Sequence, residues 1–144
     1  MPGNVSEEER SSIEKDAKQQ TAEERYQAAK EELNNREKEL AYAEAELKAN
    51  QKKQEEMQAG RKKASAQHSS HEIDDKQYAR DMQDYNQKEG RYIEDEKSLQ
   101  SKRDSAQIKR DQAKKKCDAA EKEMKAQKSR EQSQSKNQER EHTL

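Results

Sequence analysis

Leucines seven residues apart, in a chain with neither phenylalanine nor tryptophan, leave few ways to fold. Tyr26, Leu33, Leu40 and Leu47 form one such series, and Ala22, Ala29, Ala43, Met57 and Ala64 fall three residues after positions of the same series. These are the a and d positions of a heptad repeat, the pattern that gives a helix one narrow apolar seam. Carried forward without a break, d falls on His71, Tyr78, Tyr85, Tyr92, Leu99, Ala106, Ala113 and Ala120, and a falls on His68, Asp75, Met82, Glu89, Glu96, Arg103, Arg110, Cys117 and Met124. The apolar load therefore moves from a in the first half to d in the second.

A narrow seam is all that the composition can supply. Hydrophobic residues make up 26% of the chain and charged residues 44%, too polar a mixture to offset the entropy of packing into a globule. The choice is between disorder and long helices. Three glycines and a single proline, Pro2, favour helix, because the abundant Ala, Glu, Lys, Gln and Arg are good helix formers. Ser6 with Glu9 and Thr21 with Glu24 have capping-box spacing, and Ser69 with Glu72 repeats it after the interruption SAQHSSHEIDD. The end, SREQSQSKNQEREHTL, loses the heptad. These signals predict a flexible start over residues 1–9, a helical arm over 10–66, a turn over 67–71, a second arm over 72–130 and a disordered tail over 131–144.

The charges at the second-half a positions decide how the arms associate. A parallel homodimer would face Glu89, Glu96, Arg103 and Arg110 each with its own copy, four like-charged core layers in succession. Folding the chain back at Ser69–Ser70 sets a against d instead. It pairs Leu40 with Leu99, Leu47 with Tyr92, Met57 with Met82, Leu33 with Ala106, Tyr26 with Ala113 and Ala22 with Cys117. Glu96 then meets Ala43, Glu89 meets Asn50, and only Arg36 with Arg103 remains like-charged. The expected fold is all-α: a long antiparallel two-helix coiled-coil hairpin with a turn near Ser69–Ser70. Its seam, and its interaction residues, are Tyr26, Leu33, Leu40, Leu47, Met57, Tyr78, Met82, Tyr85, Tyr92, Leu99, Cys117 and Met124. The seam is thin enough to predict a hairpin that is marginal alone and is stabilised by a partner or by self-association.

Few residues suggest chemistry. His68 and His71, with Asp74 and Asp75, could approach a metal, but a structural zinc site wants four ligands, usually with Cys, and Cys117 is far away in sequence. A polar turn explains them better. Cys117 falls on the seam, where a small thiol packs like Ala. Tyr78, Tyr85 and Tyr92 could stack on bases, but residues 69–100 hold nine acidic and five basic side chains, and base-stacking aromatics need a basic groove. The basic segment 101–130 reads as a solvated or arm-pairing face. No catalytic residue, cofactor or metal is expected, nucleic acid is not an expected partner, and no apolar run is long enough to span a membrane. The start MPGNVSEEER has no apolar signal region, and one cysteine suits a reducing compartment, so the expected location is cytoplasmic.

The arrangement of the whole chain, with its Tyr-bearing start to the second arm, DDKQYARDMQDYNQKEGRYI, resembles the flagellar and type III secretion stalk family. The resemblance implies a cytoplasmic export-apparatus subunit that enters an ATPase ring and handles export chaperones. A second resemblance, of TAEERYQAAKE to the 11-residue repeats of desiccation-protectant proteins, covers one segment that does not recur at that period. The function expected from the residues themselves is that of a non-enzymatic structural or scaffold protein. It would dock its helical arms on protein partners with helices of their own, or on itself; an ATPase ring is the partner that the stalk resemblance adds.

Overall fold

Thr21 starts the first described helix, and its hydroxyl does so directly. The Thr21 Oγ1 accepts a bond from the Glu24 amide at 3.1 Å, satisfying one of the four backbone donors that every helix start leaves open. Glu23 and Glu24 add negative charge where the helix dipole is positive. The structure, a computed structural model, describes residues 21–142 and their side chains as far as residue 134. Two helices run through it: α1, Ala22–Ser69, and α2, Asp75–His142. They pack side by side as an antiparallel hairpin. The expected start at residue 10, the Ser6–Glu9 cap and the flexible residues 1–9 lie outside the described residues.

The seam keeps heptad spacing throughout. Along α1 the buried or half-buried positions include 22, 26, 29, 33, 36, 40, 43, 47, 50, 54, 57, 61, 64 and 68, alternately four and three apart. Along α2 they include 78, 82, 85, 89, 92, 96, 99, 103, 106, 110, 113, 117, 120, 124 and 127. The buried residues are small or slender: Ala22, Ala43, Met57, Ala64, Ala106, Ala113 and Cys117, with Asn50 the buried polar one. Leu33, Leu40, Leu47 and Leu99 are only half-buried.

The turn lies later than the Ser69–Ser70 reading places it. α1 continues through Gln67 and His68, and the reversal occupies residues 70–74. The Glu72 amide bonds the Gln67 carbonyl at 2.8 Å and the His71 amide bonds the His68 carbonyl at 3.1 Å, the paired bonds of a Schellman cap. His71 holds the left-handed position that glycine usually takes, with φ at 62°. Nor does Ser69 cap the second arm. Asp74 does, its carboxylate accepting the Gln77 amide at 2.8 Å, and α2 begins at Asp75 rather than at 72. At the other end, α2 does not stop near 130. It runs through 131–142, where the lost heptad predicts disorder, because Gln, Lys, Arg and Glu propagate a helix without needing a seam. Thr143 and Leu144 lie outside the described residues.

Contacts divide the hairpin into two units. One is Arg36–Arg110, with the turn. The other joins the described parts of Met1–Asn35 and Asp111–Leu144. In the second unit Arg25 reaches across to Glu123 at 2.9 Å, and the Lys30 ammonium lies 5.1 Å from the centre of the Tyr26 ring.

Candidate functional site

Each of the twelve seam residues predicted from sequence occupies an inward position: Met57 and Cys117 are buried, and Tyr26, Leu33, Leu40, Leu47, Tyr78, Met82, Tyr85, Tyr92, Leu99 and Met124 are half-buried. Their pairing differs from the expected one. In the Arg36–Arg110 unit Glu46 bonds Lys102 at 3.2 Å, and Arg103 lies 4.0 Å from Glu44 rather than opposite Arg36. Glu96 accepts a bond from Gln54 at 2.8 Å rather than facing Ala43, and Glu89 pairs with Arg61 rather than Asn50. The arms are therefore displaced by about one heptad from the register that folds at Ser69–Ser70. The same offset brings Leu47 level with Leu99 and Leu40 level with Ala106.

Electrostatics favour the displacement. Residues 48–63 carry six basic and two acidic side chains. The expected register sets them against 76–91, with four basic and three acidic residues, so that both faces are positive. The observed register sets them near 84–99, with three basic and five acidic residues. Opposite net charge replaces like charge, at the cost of apolar layers: Leu47 gains Leu99, but Met57 comes level with Glu89 and Tyr92 with Gln54.

A polar cluster interrupts the seam of this unit. The Gln54 amide nitrogen donates to Asn50 Oδ1 at 2.6 Å and to Glu96 Oε2 at 2.8 Å, and Asn50 is 6% exposed. One heptad on, Arg61 donates both to Glu89 and to Asn86, the latter at 2.8 Å. Beside it the Tyr85 ring lies on the bare backbone of Gly60, close enough that a Cβ there would stand 2.7 Å from the phenol oxygen. From sequence alone Gly60 is a residue that weakens a helix by about 1 kcal/mol and nothing more. The heptad pattern also misses Gln54, Arg61 and Asn86, whose signal is a polar residue at or beside a seam position.

At the tip, His68 stacks on Tyr78 with ring centroids 4.2 Å apart, and its Nε2 meets Asp75 Oδ1 at 2.7 Å. His71 is on the turn and exposed, and Asp74 is occupied in capping. Among the described residues no three His, Cys, Asp or Glu side chains converge as metal ligands would. No described helix is long and apolar enough to cross a membrane. Concave surfaces among the described residues include an open groove between the helices at Asn50 and Leu99 and another over Ala45 and Ala49.

Outward from the seam, three large apolar side chains stand on charged helix faces: Tyr42 at 73% exposed, Ile108 at 59% and Ile93 at 42%. Comparison with protein-family models, curated proteins and solved structures returns no match.

Proposed function

We propose that this chain is a non-enzymatic assembly protein that works in the cytoplasm and docks its helical arms on partner proteins. The observation that carries this reading is the set of three outward apolar residues, Tyr42, Ile93 and Ile108. The hairpin uses one stripe of each helix for its own closure, and these side chains stand outside that stripe. A further helix laid along either arm would cover them, as an amphipathic helix covers a groove. The thin seam supports the same reading, since a docked helix adds the burial that the arms lack.

The test places a photo-crosslinking amino acid at residue 42, 93 or 108 of the full chain in its native cell. Discrete adducts are expected, lost when the neighbouring surface is made charged. No adduct at any of the three positions overturns the reading. A second reading is favoured by the long hairpin with a tyrosine-bearing start to α2, the organisation that resembles the type III secretion and flagellar stalk family. In that case a ring ATPase and export chaperones are among the adducts, and their absence removes it.

A further inference from the structure

Tyr42 belongs to a second stripe of α1. Tyr42, Ala45, Ala49 and Lys52 are spaced three, four and three apart, the spacing of a seam, and all four are exposed. Tyr42 is the most exposed of the large apolar side chains described. On the same helix an open groove lies over Ala45 and Ala49, walled by the long side chains of Lys48, Gln51, Lys52 and Glu55. A projecting aromatic and a shallow slot thus lie within two helical turns of each other. A side chain cannot fill a slot on its own helix at that separation, but the same residue of another molecule can.

The charge of α1 specifies which molecule. Residues 22–45 carry seven acidic and four basic side chains, and residues 46–69 carry three acidic and six basic. The helix inverts from net −3 to net +3 at its own midpoint, between Ala45 and Glu46. Antiparallel pairing of two copies of α1 about that point sets each negative half on the positive half of the other. It also brings each Tyr42 level with Ala49 of the second copy and each Glu39 level with Lys52 of the second copy. Both knob-and-slot contacts form at once, as an isologous two-fold interface requires. A parallel pairing would set like charge on like charge along the whole helix.

We infer that a second copy of this chain docks antiparallel on the outward face of α1, with Tyr42 of each copy seated over Ala45 and Ala49 of the other. The inference deepens the docking reading above, on which it rests, by naming the partner. Sedimentation equilibrium of the full chain tests it. A dimer is expected, its dissociation constant raised about tenfold by Tyr42→Ala, which removes an aromatic anchor from each half of the interface. Ala49→Arg fills the slot with a helix-favouring side chain and weakens the dimer further, and added salt weakens it too. Both positions face outward, so helicity by circular dichroism stays at the wild-type level. A wild-type monomer at about 100 μM overturns the inference, as does a dimer that neither variant weakens. Either failure leaves crosslinked adducts to other proteins untouched, so the loss of the second copy as partner is separable from the loss of the docking function.

Discussion

A methyl group added at Gly90 meets no atom within 4 Å, whereas one added at Gly60 presses on the Tyr85 ring. The two glycines look alike in the sequence, each a local weakness in a helix, and only the opposing arm distinguishes them. Gly90→Ala should stabilise the hairpin by about 0.5–1 kcal/mol, the propensity difference in a helix interior. Gly60→Ala should give no such gain, because Tyr85 has to leave its place on the backbone. Urea denaturation of the two variants measures the contrast, and equal gains would show that the Tyr85 contact carries no energy. His71 offers a second gain. Its left-handed backbone costs a residue with a Cβ about 1–2 kcal/mol. His71→Gly should raise stability by about 1 kcal/mol while leaving the hydrogen bonds of the cap in place. A loss on the same measurement would assign the imidazole a contribution larger than the strain.

At the scale of the helix, the existence of the two arms, their antiparallel sense and the identity of the seam are all legible in the heptad. The register is not. A pattern that repeats every seven residues fits its partner nearly as well when displaced by seven, so Leu40 with Leu99 and Leu47 with Leu99 satisfy the same rule. The choice falls to polar residues inside the seam, and their meaning depends on what they meet. Glu96 is acceptable opposite Ala43 and better opposite Gln54; Arg103 is tolerable opposite Arg36 and better beside Glu44. The turn lies later than its residue types suggest: the histidines and serines look like a break, but Gln67 and His68 lend their carbonyls to a helix cap. Cysteine pairs read the register directly. In a Cys117→Ala background, Leu47→Cys with Leu99→Cys should oxidise to a disulfide, and Leu40→Cys with Leu99→Cys should not; the reverse result would restore the Ser69–Ser70 register. Asn50→Leu should then let the second pair form as well, because a single buried polar residue fixes register more than it adds stability.

For the molecule as a whole, stability rests on breadth rather than depth. Among the described residues only small side chains, those of Ala22 and Ala43, are as little as 1% exposed. In the Arg36–Arg110 unit the basic stretch 48–63 faces the acidic stretch 84–99, and in the other unit residues 22–35, with four acidic and two basic side chains, accompany 111–130, with seven basic and four acidic. The individual ion pairs are exposed or half-exposed, and each such pair is worth about 0–1 kcal/mol. Their sum is nonetheless of one sign and lies within reach of screening. Raising sodium chloride from about 50 mM to about 1 M should lower the thermal midpoint, the opposite of what a purely apolar seam would do. A midpoint that rises with salt would show that the facing charges contribute nothing net. The tyrosines have a different consequence. With no tryptophan to mask them, they are the chain's aromatic chromophores in the near ultraviolet, and Tyr26, Tyr78, Tyr85 and Tyr92 stand at the inner face while Tyr42 stands outside. Parting of the arms therefore alters the light that the unlabelled protein itself absorbs and emits, which makes the seam its own gauge.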